Sequence, residues 1–200
     1  LIQEKVVDIL RSSPADLVHA EVYLCMRVFL CRFASQHLTG FWPIILTEMV
    51  RILAQAKVDL PADKSDRLQL VFSVVKLADF LITLQTDDFQ IHQWLLITDT
   101  PDATNPASSY MADSLLDCLA KFVSECQREL VFDANDSLER AQQRRPLLQM
   151  SSVATISTLQ PFFATASRAF YQCDFHATLD WDNINACLLH DLFEPIHTNT

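Results

Sequence analysis

Glycine is almost missing from this chain: Gly40 is the only one in 200 residues. No G-x-G-x-x-G turn, Walker phosphate loop or G-x-S-x-G elbow can be built, because each needs at least two glycines for tight turns or close phosphate approach. H-E-x-x-H is absent as well. Long apolar runs are also missing. Val22–Phe33 is broken by Arg27 and Arg32, and Leu70–Leu84 by Lys76 and Asp79, so nothing reaches the roughly 18 residues that a membrane span requires. A soluble chain is expected. Basic charge is scarce: 15 Lys and Arg stand against 25 Asp and Glu, a formal charge of −10. Residues 1–100 carry 9 basic and 12 acidic side chains, and residues 101–200 carry 6 and 13. A basic face of the kind nucleic acid requires is not available, which excludes that partner. Cys25, Cys31, Cys118, Cys126, Cys173 and Cys187 never form C-x-x-C and read as reduced, mostly buried thiols of a cytosolic protein. The chain opens on Leu1 without a secretory leader and is already helical in pattern at "LIQEKVVDIL", so it reads as a piece of a longer protein.

What is present repeats with the helical period. After Trp42, the apolar positions Ile45, Leu46, Met49, Ile52, Leu53 and Ala56 share one side, and Thr47, Glu48, Arg51 and Gln55 the other. Pro43 fits the first helical position and pushes Trp42 out of the helical region, while Gly40 lets the chain turn into the helix. Phe41 and Trp42 are expected to fill the gap to the preceding helix rather than form a ligand box. In Asp66–Leu84 the polar residues Gln69, Ser73, Lys76, Asp79 and Thr83 keep to a narrow stripe, so this helix belongs in the middle of a stack. A shorter helix is expected over Asp87–Ile97, anchored by Phe89, Trp94 and Leu95. Beyond a loop at 99–109, helices follow around Leu115–Leu130, Ile156–Phe170, with Pro161 as a kink or late start, and Trp181–Leu192. No segment alternates as a strand would. The predicted class is all-α, either antiparallel helices stacked in the HEAT or armadillo manner or an irregular bundle. Residues 1–98 and 110–200 form two halves of one domain.

Candidate chemistry is sparse. Asp133–Arg140 imitates a calcium loop, but Leu138 stands where the turn needs glycine and Arg144 where a bidentate glutamate belongs. Cys173-x2-His176 and Cys187-x2-His190 could supply two thiolates and two imidazoles to zinc, although plain buried cysteines are the commoner outcome. No metal or cofactor, and no enzymatic activity, is expected. Arg140, Arg144 and Arg145 cluster in "ERAQQRR", which reads as a solvated helix face or as a contact for a phosphoinositide headgroup or acidic partner. Residues 174–200 hold five acids and no Lys or Arg. There Trp181, Leu189, Leu192 and Phe193 are candidates for a docking surface, with ordinary packing as the alternative.

In "FASQHLTGFWPIILTEMV", "FQIHQWLLITDT" (Phe89–Thr100) and "LLHDLFEP" (Leu188–Pro195) the chain resembles the C-terminal region of the Dopey family of very large eukaryotic proteins. None of these stretches is a catalytic motif. The resemblance implies a peripheral protein of Golgi and endosomal membranes, acting in vesicle traffic with a large partner related to the Arf exchange factors and with an aminophospholipid flippase. The expected role is a helical interaction or self-association module of a scaffold, with a phosphoinositide-binding module as the alternative.

Overall fold

In the computed structural model, residues 2–92, 96, 114–126, 139–172 and 177–193 are described. They are helical, with no strand among the described residues. In chain order the helices are α1 (Ile2–Ser12), α2 (Asp16–Arg32), α3 (Trp42–Val58), α4 (Asp66–Leu84), α5 (Asp87–His92), α6 (Leu115–Cys126), α7 (Gln160–Gln172) and α8 (Trp181–Phe193). Short 3-10 turns at Ser35–His37 and Ile156–Leu159 precede α3 and α7. The arrangement is an irregular bundle around α4, which packs on α2, α3 and α7, while α6 lies across α3 and α7, and α1 and α8 lie on α2.

The centre of the bundle follows from the pattern of α4. Every residue from Leu70 to Leu84 is buried, Ser73, Lys76, Asp79 and Thr83 of the polar stripe included. Ser65 starts the helix by accepting the Leu68 N–H at 3.1 Å. Gln85 ends it in the left-handed conformation, with φ 49° and its N–H on Leu81 O. The apolar core is continuous from Val6 through α4 to Leu188.

One local expectation needs correction. The α3 helix begins at Trp42 itself and carries Pro43 in its first turn, where a missing N–H costs nothing because the first four N–H groups of a helix lack intrahelical acceptors. Gly40 lies in the turn that leads into α3, as expected, with a φ outside the left-handed region. Its carbonyl accepts the Gln3 amide at 2.6 Å, and a Cβ there would meet that amide at 2.4–2.9 Å. Among the described residues, Lys64, Gln85 and Arg144 adopt the left-handed conformation. Phe41 and Trp42 do fill the space beside α2: both are buried, the Phe41 ring lies 6.1 Å from Phe29, and Trp42 Nε1 donates to Asp88 at 3.2 Å. Phe89 is buried as expected, whereas Trp94, Leu95 and the 99–109 loop lie outside the described residues. Pro161 is a late start, one residue into α7.

A candidate interaction site around a buried ionic cluster

The polar stripe of α4 is a track for an extended segment of the second half. Residues 144–154 run antiparallel to the helix. Lys64 N–H meets Ala154 O at 3.0 Å, Gln69 Nε2 meets Val153 O at 2.8 Å, and Lys76 Nζ meets Met150 O at 2.7 Å. Asp79 accepts the N–H groups of Leu147 and Leu148 at 3.0 and 2.8 Å. Arg144 closes the track by donating to Thr83 O and Leu84 O, the latter at 2.9 Å, and to Ala177 O at 3.1 Å. Where a non-helical segment is buried its backbone groups must find partners, and along this partly buried segment these side chains supply several of them.

Within this track sits a cluster of four buried charges. Asp191 of α8 accepts from Lys76 Nζ at 2.5 and 2.6 Å and pairs with Arg27 Nη1 of α2. Lys76 and Arg27 are each 2% exposed. Both cations also face aromatic rings, Arg27 over Phe80 at 5.5 Å and Lys76 over Phe72 at 5.3 Å. Together with Asp79 the cluster holds two positive and two negative groups, so its formal charge cancels. Burial pushes the Asp79 carboxyl up to about 6, against the pull of the two N–H groups, Lys76 and Arg27. Burial likewise pulls the Lys76 ammonium down, with Asp191 opposing. Hydrogen-bonding and charged neighbours offset only part of the cost of burying these two charges. The cluster is a lock that joins α2, α4, α8 and the 147–150 segment.

Sequence reasoning took Arg27, Lys76 and Asp79 as interruptions of apolar runs and did not pair them with Asp191. The available signal was the sign balance of charges embedded where no solvated face exists, since fully buried Lys, Arg and Asp are paired.

The predicted site residues separate into distinct environments. Arg144 is an interior carbonyl binder, and Arg145 pairs with Asp180 at 2.6 Å. Arg140 sits half-buried on a helical turn at 139–142, its carbonyl accepting the Arg145 N–H at 3.0 Å. The three do not share a solvated helix face. Arg144→Ala is expected to lower stability by about 1–3 kcal/mol, because carbonyls at the end of α4 lose their donor. Arg144→Lys should recover only part of this, since an ammonium cannot reproduce the planar fork; thermal unfolding of both variants checks it.

Asp180 accepts the Asn183 N–H at 3.0 Å and so caps α8. That N–H, and then Arg145, hold its carboxyl below the ordinary value. On the outer side of α8, Trp181, Leu189, Leu192 and Phe193 are all exposed, Phe193 by 79%. Ile184, Cys187 and Leu188 face inward. Of the zinc candidates, Cys187 is buried, with its thiol pushed up chiefly by burial, and His190 is exposed. Cys173 and His176 lie outside the described residues.

The fold and this cluster define an all-α helical bundle with a charged interior. A family model described as DOP1 C-terminal matches residues 1–175, so the chain belongs to the DOP1 (Dopey) family, as its C-terminal region. It is 28% identical to Protein DOP1B of Mus musculus over 204 residues, covering 85% of this chain and 9% of that protein. It is 31% identical to Protein pad-1 of Caenorhabditis elegans over 137 residues, covering 62% and 6%. Over 69 residues it is 41% identical to Protein DOP1 homolog of Drosophila melanogaster, covering 34% and 3%. The chain thus spans less than a tenth of the length of these relatives. No solved structure matches it. The stretch Leu188–Pro195, with Asp191, lies beyond the residues that the family model matches. Among the described residues, no helix is long and apolar enough to cross a membrane.

Proposed function

We propose that this chain is a non-enzymatic helical interaction module of a large scaffold protein in traffic between endosomes and the Golgi, peripheral on the cytoplasmic side of those membranes. It joins copies of the scaffold to one another. Its wider partners are a large trafficking protein related to the Arf exchange factors and an aminophospholipid flippase. Family membership supports the trafficking role, and one structural observation supports the interaction role. An interior locked by buried charge carries large apolar side chains outward on α1, α2 and α8, and grouped exposed apolar residues mark interaction surfaces. The phosphoinositide reading has less support, because Arg144 and Arg145 are engaged by Thr83, Leu84, Ala177 and Asp180.

The test uses two differently tagged copies of the full-length scaffold, with and without this module. Intact copies are expected to co-precipitate, and copies lacking the module are expected not to. Equal recovery with and without it would sink the reading.

A further inference from the structure

The first helical hairpin carries an open groove of about 460 Å³ between α1 and α2. Its walls are apolar, built by Val6 and Ile9 on one side and by Val18, Val22, Cys25 and Phe29 on the other. The α2 residues are spaced four, three and four apart, the interval of a helix seam that receives another helix. Three residues join the helices, so α1 turns back on α2 and the groove runs along both. Val18 is 42% exposed, and the stacked Phe29–Phe33 pair, 4.8 Å between centroids, extends the apolar surface past the end of the groove.

Charge selects the occupant. Lys5 lines the α1 wall and Glu21 the α2 wall, and both are exposed. We infer that a second copy of this chain closes the groove with its own α1–α2 hairpin; this rests on the self-association reading above. Rotation by 180° about an axis along the groove lays the second α1 over α2 and the second α2 over α1. Each helix then meets an antiparallel neighbour, and an antiparallel four-helix arrangement forms. The same rotation sets Lys5 of each copy against Glu21 of the other. An isologous interface needs a patch complementary to itself, and one cation and one anion on opposite walls of an apolar groove make such a patch.

Light scattering across a concentration series, on wild type, Lys5→Glu, Glu21→Lys and the double exchange, tests this. Wild type is expected to move from 22.8 kDa towards twice that mass. Each single reversal sets like charges opposite one another twice per dimer and should raise the dissociation constant by roughly tenfold or more. The double exchange restores it to within about threefold. Helical circular dichroism should not change, because both side chains are exposed. As an independent readout, alkylation of Cys25, located by mass spectrometry, should slow as dimer forms. A dimer indifferent to all three variants, with Cys25 alkylated at one rate throughout, would overturn this interface and leave self-association standing on another face. A wild-type monomer at every concentration would overturn this inference, while co-precipitation of the full-length copies would still decide the module reading.

Discussion

Asp191→Asn is expected to destabilise the chain by about 3–5 kcal/mol, the cost of stripping a buried ion pair of one partner. Asp191 is the shared acceptor for Lys76 and Arg27, and all three side chains are at most 6% exposed. An asparagine keeps the shape and removes the charge, which leaves two buried cations facing a single buried carboxylate, Asp79. Urea unfolding reads the effect as a lower midpoint at unchanged slope. A loss under about 1 kcal/mol would mean that the cluster does not hold α8. The matched control replaces all three charges, as Arg27→Met, Lys76→Met and Asp191→Leu together. That variant is expected to lie within about 2 kcal/mol of wild type or above it, because apolar packing of similar volume avoids the desolvation of these three groups while Asp79 keeps its two N–H donors.

Mild acid is expected to stabilise the chain through Asp79, against the usual behaviour of carboxylates. Burial raises this carboxyl from 3.8 to about 6 in the folded chain. Between those values the folded state holds a proton that the unfolded state has released, so stability falls as pH rises across the window. The gap corresponds to on the order of 3 kcal/mol, fully gained below the unfolded value and fully lost above about pH 6. Lys76, lowered from 10.5, makes stability rise with pH between its folded value and 10.5. Asp180 contributes stability that is lost only as pH falls through a value below 3.8. Partial neutralisation of the −10 formal charge acts in the same direction as Asp79. Chemical unfolding at intervals from about pH 4.5 to 7 should show this slope in wild type and a flatter one in Asp79→Asn. Parallel slopes in the two proteins would refute the assignment. The variant is also less stable throughout, since an amide oxygen cannot accept both the Leu147 and Leu148 N–H groups as well as a carboxylate does.

Helix positions were largely legible because apolar spacing at 3.6 residues is a local property. The burial of α4 could be read from Asp66–Leu84 alone, as could the sidedness of α3 from Ile45 to Ala56. Element ends were less legible. Trp42 enters α3 although a proline follows, because packing of its buried ring and its bond to Asp88 outweigh the local preference of a pre-proline residue. Arg140, Arg144 and Arg145 looked like one charged face, but the helical turn at 139–142 gives way to a turn and Arg144 adopts φ 49°. Their side chains then leave in different directions.

By itself the sequence determined the all-α class, the central helix, the absence of glycine-dependent phosphate and nucleophile motifs, and the family. Those properties are carried by composition, by period and by stretches of neighbouring residues. Only the tertiary structure decided that Arg27, Lys76 and Asp191 meet, that the polar stripe of α4 is sealed by residues 144–154, and that Lys5 and Glu21 flank one groove. The physical reason is distance along the chain: Asp191 lies 115 residues from Lys76 and 164 from Arg27. A contact at that separation leaves no periodic trace, because it is selected by the packing of the whole core and by the cost of leaving a buried charge alone.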